Sequence, residues 1–240
     1  FCDLGAGQQN LIAEAGFRND EVGIIDHHIS QPCDVDYLQV NCHPYGHVKL
    51  SAAGVAYLVA KEIDSGNTDL APLAVIGNVG DMMAREDCGL TGIAREIAYE
   101  GSAHGSVEVR KYDLNCYGIS TRPLHISLSY NDDPIIPGIS NNARGALRFL
   151  QKLGIPLQDN LQRWRVWEEF SCEEQRIISS ALAQQLLAHT CSITRLFCES
   201  YLFPAEKART PLRNAQEYAT LLNACGRWSR PKTGAQICRG

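Results

Sequence analysis

Short apolar runs that end in an acidic residue recur in the first third of the chain. The β-branched run Val22–Asp26 has this form, and so does the opening Phe1–Asp3, as expected of buried parallel strands with polar side chains at their carboxyl ends. Residues 11–17 predict a short helix between them, so the three elements predict a βαβ unit. A further apolar segment, residues 70–79, leads to Asp81. Because ligands bind at the carboxyl ends of such strands, these acids mark the expected site.

The remaining pattern is mostly helical. Ser51 is a suitable N-cap for a helix over residues 51–64, and Ser171–Glu174 form a capping box that opens a helix to about residue 189. Two prolines predict a rigid loop over residues 131–138. The other predicted elements are helices over residues 91–99, 123–129, 144–153 and 212–225, the last ended by Gly226, and strands over residues 107–111 and 200–203.

These elements predict an α/β protein, with a parallel sheet flanked by helices, then a helical region and the start of a second α/β domain. We expect a first domain over residues 1–130, a helical connector over residues 131–195 and the beginning of a substrate-binding domain over residues 196–240. The chain opens with Phe1 inside a predicted strand. We therefore expect it to be a piece of a longer protein.

Composition and charge narrow the class of protein. With 45% hydrophobic and 20% charged residues over 240 positions, the chain is typical of a globular protein and not of a disordered or fibrous one. The net charge is −5, but residues 207–240 hold seven Lys and Arg against one acid, a net of +6, which leaves −11 for residues 1–206. An acidic body with a basic end is typical of a metal site beside an anion-binding surface.

The cysteines and the lack of long apolar runs indicate the cellular compartment in which the protein is expected. No apolar run approaches the roughly 18 residues of a membrane span. None of the ten cysteines is spaced as Cys-x-x-Cys. We therefore expect reduced, mostly buried thiols in a cytoplasmic protein, without a disulfide framework.

The triplet Asp26-His27-His28 carries the strongest chemical signal. A carboxylate and two imidazoles at the end of an apolar strand are costly to desolvate unless they have a partner, and a divalent cation is a common one. Adjacent side chains of a strand point to opposite faces, so the pair divides into one histidine on a metal and one facing substrate. The alternative is a surface histidine pair at a turn.

The positions of Asp3 and Asp81 favour a metal site over a surface histidine pair. Each follows an apolar element and each has glycines beside it, and alone each would more often be a turn or capping residue. Together with Asp26 and the two histidines they form a set that can converge. Mixed carboxylate and imidazole ligands suit Mn²⁺ or Mg²⁺ better than a structural zinc, which favours thiolates.

These motifs resemble a known family. Asp-Leu-Gly-x-Gly at 3–7, Ile-Ile-Asp-His-His at 24–28 and Gly-Asn-Val-Gly-Asp at 77–81 resemble, in this order, motifs two, three and four of the DHH phosphoesterase superfamily. Residues 133–138 and 221–227 resemble its archaeal RecJ-like branch, the single-strand-specific exonucleases.

The resemblance implies a site with two metal ions, usually manganese. The residue matching Asp3 bridges both ions, and the residues matching His27 and Asp81 hold one of them. The residue matching His28 faces the scissile phosphate, and the residue matching Asp26 orients the histidines without touching the metal. The family's first motif precedes the second and is absent from these 240 residues. We therefore expect the chain alone to bind at most about one Mn²⁺ and to show little hydrolysis.

Cationic and aromatic residues outside the motifs are candidates for substrate binding. Arg144 could meet an anion at a helix start. Asn223 and Arg227 lie near the end of a predicted helix, where Arg227 could contact a phosphate or simply complement the helix C-terminus. Trp164 and Trp167 are three apart on a predicted helix and indicate core packing more than a base-stacking surface.

Three functions remain open at this point. The first is a metal-dependent phosphodiesterase that degrades single-stranded DNA or RNA from an end, favoured by the basic C-terminal stretch. The second is a phosphoesterase for small nucleotides such as oligoribonucleotides, pAp or a cyclic dinucleotide. The third is a non-catalytic replisome scaffold resembling Cdc45 that binds GINS-like partners. The presence of Asp3, His27, His28 and Asp81 argues against the third.

Overall fold

The computed structural model describes residues 1–239 and has a mixed α/β fold. It divides into two compact units, one formed by Phe1–Val109 with the segment from Leu222 onward, the other by Arg110–Leu221. These units are bounded at other positions than residues 130 and 195, and the three-domain division stays a prediction. The strands are β1 (Gly23–Asp26), β2 (Leu38–Asn41), β3 (Glu108–Leu114) and β4 (Phe197–Leu202); the helices are α1 (Gln9–Glu14), α2 (Ala52–Ile63), α3 (Ala71–Gly80), α4 (Gly92–Ala103), α5 (Leu124–Ser129), α6 (Ala143–Gln151), α7 (Cys172–Ala188), α8 (Ala215–Arg227) and α9 (Pro231–Arg239).

A parallel arrangement organises the first unit, as predicted. β1 pairs with β2 in parallel register, so that Asp26 lies opposite Asn41 at their carboxyl ends. On the other side of β1, Cys2 forms a parallel bridge with Ile25. The backbone N–H of Ile25 donates to the carbonyl of Phe1 at 2.9 Å. The opening segment, α1 and β1 therefore form the expected βαβ arrangement, whereas β2 had no counterpart in the prediction.

Close packing of α3 on α2 determines the position of Asp81, the residue at the end of α3. A Cβ atom on Gly77 would lie 2.4 Å from the Cβ of Ala53, so only glycine allows this approach of the two helices. The side chain of Ser51 caps α2 as predicted, accepting a hydrogen bond from the N–H of Gly54. The Oδ1 atom of Asn78, on α3, accepts hydrogen bonds from the backbone N–H and the hydroxyl of Ser51, both at 2.9 Å. The start of α2 is thereby tied to the last turns of α3.

The second unit is built around α5, α6 and α7. Its core contains fully buried residues of the three helices and of the loop between α5 and α6, among them Leu128, Ile136, Leu150, Ile178, Leu182 and Leu186. α7 begins at the capping box of Ser171 and Glu174, as predicted. Trp167 is buried in this core, as expected, but the segment of Trp164 and Trp167 is not an α-helix.

Two further expectations are wrong. Gly226 does not end the last predicted helix, because α8 continues to Arg227 and the left-handed residue that follows is Ser229, with φ 54°. The thiols are free but not mostly buried, since only Cys42 and Cys116 are buried. Among residues 1–239, no helix combines the length and the apolar character that crossing a bilayer requires.

Candidate metal centre

Asp26 lies at the base of the site and is fully buried. Its Oδ2 atom accepts a hydrogen bond from the N–H of Ala6 at 2.9 Å, and its Oδ1 atom accepts from the N–H of His27 at 2.8 Å. Oδ1 is also 2.7 Å from Nδ1 of His28. Burial opposes ionisation, but these hydrogen bonds outweigh it and hold the pKa of the Asp26 carboxyl below its usual value. With both oxygens engaged, Asp26 orients the turn that carries the histidines.

His27 is the centre of the ligand set. Its Nε2 atom lies 3.3 Å from Oδ1 of Asp3 and 3.2 Å from Oδ2 of Asp81. The His27 side chain is only 9% exposed, whereas those of Asp3 and Asp81 are 65% and 44% exposed. A buried imidazole nitrogen thus faces two carboxylates that reach solvent.

The backbone of Asp3 is held in a left-handed conformation, with φ 62°, which aspartate tolerates better than most residues. Its N–H donates to the carbonyl of Ile25 at 3.0 Å, which ties it to the end of β1. The glycine that follows at position 5 has φ 115°, and a Cβ there would lie 3.2 Å from Cγ2 of Ile24. Glycine therefore allows the chain to turn tightly over β1 immediately after the acid.

Asp81 is the residue at which α3 ends. Met82 follows with φ 61°. Its N–H donates to the carbonyl of Val79, and the N–H of Met83 donates to the carbonyl of Asn78 at 3.0 Å. These two bonds are the Schellman pattern, which closes a helix with a left-handed residue. The carboxylate of Asp81 therefore leaves the helix at a well-defined turn beside His27.

His28 occupies a different position from His27. Its side chain is 58% exposed, and the rings of the two histidines lie 4.3 Å apart, tilted by 58°. The hydrogen bond between Nδ1 of His28 and Asp26 raises the pKa of the imidazole above its usual value. His28 thus has one nitrogen fixed by a carboxylate and a largely exposed ring, the arrangement expected of a group that meets substrate.

The chemistry of Asp3, His27 and Asp81 fits a divalent cation that prefers oxygen and imidazole ligands. Ligand atoms about 2.2 Å from an ion lie about 3 Å apart when they are neighbours in an octahedron, and the two His27 contacts have this separation. Ligand atoms of Asp3, Asp26, His27 and His28 also lie within 4.8 Å of one another. Of these, Asp26 is the least suited to bind a metal because its oxygens already accept several hydrogen bonds.

Asn41, which no predicted motif included, supports the site from the end of β2. Its Nδ2 atom donates to the carbonyl of His28 at 2.8 Å, and its Oδ1 atom accepts from the N–H of His43 at the same distance. Asn41 is buried and closes the run Leu38–Asn41. The run is interrupted by Gln39, so it lacks the continuous apolar pattern that marked Asp26.

Three of the predicted substrate-binding residues, Arg144, Asn223 and Arg227, lie on the ends of helices α6 and α8. Arg144 is exposed in the first turn of α6, within the unit Arg110–Leu221. Asn223 and Arg227 are exposed on the last turns of α8, in the same compact unit as the metal centre. The roles given to these three residues stay predictions.

Comparison with known proteins supports the coarser part of the resemblance. Residues 116–196 match the family model of the DHH-CID domain, a segment that lies within the second unit. The chain is 28% identical over 246 residues to an uncharacterized protein of Methanocaldococcus jannaschii, covering 99% of this chain and 50% of that protein. It is also similar in structure to Cdc45 from Entamoeba histolytica, with a TM-score of 0.63 and 15% identity, over 96% of this chain and 51% of that one.

The chain spans about half the length of both of these relatives. The likeness to Cdc45 shows the fold alone, and it confirms the expected α/β class. The match to the archaeal RecJ-like branch stays a prediction.

Proposed function

We propose that this chain contributes the metal centre of a phosphodiesterase that degrades single-stranded DNA or RNA from an end, in the cytoplasm. One observation carries the proposal: Nε2 of His27 lies within 3.3 Å of two carboxylates, Asp3 and Asp81, that come from distant parts of the chain. A shared divalent cation accounts for two partly exposed acids directed at one imidazole nitrogen, because it compensates both charges and uses the nitrogen as a ligand.

In this proposal the residues of the candidate metal centre have separate chemical roles. Asp3, His27 and Asp81 would hold Mn²⁺ or Mg²⁺, and when bound such an ion acidifies water and neutralises charge on phosphoryl oxygens. Asp26 fixes the ring of His28 through Nδ1. The exposed ring of His28 can then donate a hydrogen bond to a phosphate oxygen or transfer a proton to the leaving oxygen.

A second function has a specific observation in its favour. The DHH-CID match and the likeness to Cdc45 are consistent with a replisome scaffold that binds GINS-like proteins without catalysis. The contacts of His27 argue for the enzyme, because a scaffold has no need of an imidazole nitrogen that faces both Asp3 and Asp81.

The test is cleavage of single strands by the full-length protein with saturating Mn²⁺. We expect Asp81→Ala to abolish hydrolysis, because it removes a metal ligand and the charge stabilisation that the metal supplies. Asp87→Ala is the matched control: this acid of the following loop pairs with Lys49, away from His27, and its loss should leave turnover unchanged. Wild-type turnover in Asp81→Ala would refute the assignment.

Substrates of increasing length separate the two kinds of phosphoesterase. Rates that rise with strand length support the exonuclease, and rates that peak at dinucleotides or pAp support the small-nucleotide enzyme. Full-length protein that cleaves none of them while binding a GINS-like partner would support the scaffold.

A further inference from the structure

The turn between α8 and α9 is a well-defined structure. The N–H of Ser229 donates to the carbonyl of Gly226 at 3.0 Å, and the N–H of Arg230 donates to the carbonyl of Cys225 at 2.7 Å. With Ser229 left-handed, this is a complete Schellman motif. The residue between the helix end and Ser229 is Trp228, which the motif holds at the apex of the helical hairpin.

α9 approaches α8 at Gly234. Gly234 is buried, and a Cβ atom there would lie 3.3 Å from the Cβ of Cys225 and 3.9 Å from Cδ2 of Leu222. Ile237 and Cys238, on the following turn, are half-buried. The less exposed side of α9 therefore consists of Gly234, Ile237 and Cys238, and the other described residues of α9 are exposed.

The apex carries an exposed aromatic ring among unpaired cations. Trp228 is 79% exposed, and Arg227, Arg230 and Lys232, which lie within four positions of it in the sequence, are exposed. Over the part of the chain that the structure describes, none of these four side chains forms a hydrogen bond or ion pair. Trp228 thus contributes little to the core, unlike the buried Trp167.

Local helix electrostatics account for only one of the three cations. Arg227 complements the C-terminus of α8, where a positive charge is favourable. Arg230 and Lys232 lie at the start of α9, where the helix macrodipole disfavours positive charge. Two cations beside an N-terminus instead make a strongly anion-attracting surface.

We propose that the apex of the α8–α9 hairpin binds single-stranded nucleic acid, with Trp228 stacked on a base and Arg227, Arg230 and Lys232 on the flanking phosphates. The inference rests on the proposed function for the identity of the strand, and it assigns a binding surface that the metal centre does not provide. Both lie in the same compact unit.

The chemistry of the patch favours this ligand over others. A base in a single strand exposes a face on which an indole can stack, whereas a duplex buries the faces of its bases. A lipid surface requires an exposed apolar helix face beside the cations, and Gly234, Ile237 and Cys238 of α9 are buried or half-buried. The phosphates of a strand match the charges of Arg227, Arg230 and Lys232, whereas residues 1–206 carry a net charge of −11.

The experiment measures binding of a labelled oligothymidylate to the 240-residue chain in EDTA, so that no hydrolysis occurs. We expect Trp228→Ala to weaken binding about tenfold, and Trp228→Phe to retain most of it, because stacking needs an aromatic face. Phe17→Ala is the control, an exposed aromatic residue beside an arginine already paired with Asp20. It should bind as the wild type does.

Salt dependence tests the cations separately. Arg230→Ala and Lys232→Ala should each reduce the slope of log affinity against log salt by about 0.7, the value for one phosphate contact on a single strand. An unchanged slope in both variants would refute their contacts with phosphates.

Two results would overturn the proposal: wild-type affinity in Trp228→Ala, or binding to anionic lipid vesicles with none to the oligonucleotide. Unchanged thermal unfolding of Trp228→Ala excludes misfolding as the cause of a loss. Because the assay contains no metal, it is independent of the cleavage test. Loss of activity in Asp81→Ala with normal oligonucleotide binding supports both proposals, and absence of any nuclease activity leaves a Trp228-dependent interaction standing.

Discussion

The aspartates at positions 3, 26 and 81 have the same side chain in three different environments. Asp26 is fully buried and accepts hydrogen bonds on both oxygens, whereas Asp3 and Asp81 reach solvent and face Nε2 of His27. The buried acid has little capacity left for a metal, and the exposed acids make no comparable contribution to folding. At the scale of the residue, hydrogen-bond partners distinguish the structural acid from the two candidate ligands.

This difference predicts opposite stability effects. In EDTA, Asp26→Ala should lower the free energy of unfolding by at least about 2 kcal/mol, because it leaves buried backbone N–H groups of Ala6 and His27 without an acceptor. Asp81→Ala should leave stability nearly unchanged or raise it slightly, since it relieves repulsion between two neighbouring carboxylates. Urea unfolding of the two variants measures this, and equal losses would contradict the division of roles.

At the scale of the element, local capping signals were reliable where both partners lie close in sequence. Ser51 and Ser171 cap the helices that they were predicted to cap. The predicted end of α8 was wrong because a left-handed residue need not be glycine. Ser229 takes the left-handed conformation, and two backbone hydrogen bonds support it. Gly226 stays helical.

The capping box of α7 includes an ion pair that makes stability depend on pH. Arg165 lies 2.7 Å from Oε2 of Glu174. The hydrogen bond from Arg165 lowers the pKa of Glu174 to about 2. Burial of the carboxyl raises the pKa, and the hydrogen bonds with Ser171 lower it further. A carboxyl whose pKa is lower in the folded state stabilises the fold above its unfolded pKa of about 4.3 and loses that contribution as pH falls through the folded value.

Glu174→Gln should therefore cost about 1 to 2 kcal/mol near pH 6, with the difference from wild type shrinking as the pH falls from about 5 to about 2. Thermal unfolding across this range is the measurement. Glu173→Gln, which removes an exposed pair with Arg176, is the matched control and should show little effect at any pH. If the wild type is still more stable than Glu174→Gln at the lowest pH, the stabilisation does not come from the ionised carboxylate of Glu174.

At the scale of the whole molecule, one compact unit holds both the candidate metal centre and the segment from Leu222 onward, which carries Arg227, Arg230 and Lys232. The candidate donors there are Asp3, His27 and Asp81, and our hypothesis is that they hold one ion with water completing its shell.

We predict that the 240-residue chain binds about one Mn²⁺. Binding should raise the free energy of unfolding by about 2.7 kcal/mol when free Mn²⁺ is a hundredfold above Kd. Calorimetric titration and thermal unfolding measure the two effects. His27→Ala should abolish both, whereas His104→Ala, on the exposed end of α4, should change neither. Two tight sites in the chain alone would contradict this ligand set.

The sequence by itself determined the residue types of the site, most of the helices and the βαβ order. These depend on local signals: helix periodicity, capping side chains and polar residues at the ends of apolar runs. The roles of Asp3, His27 and Asp81 came from the order of the motifs, and their role as metal ligands stays a prediction.

Only the tertiary structure decided which side chains meet. It placed Nε2 of His27 between two carboxylates, one of them 54 positions further along the chain. It also added β2 with Asn41 behind His28 and presented Trp228 on an ordered turn. The physical reason is the same in each case: burial and hydrogen-bond partners depend on contacts between residues far apart in sequence, and local patterns do not contain that information.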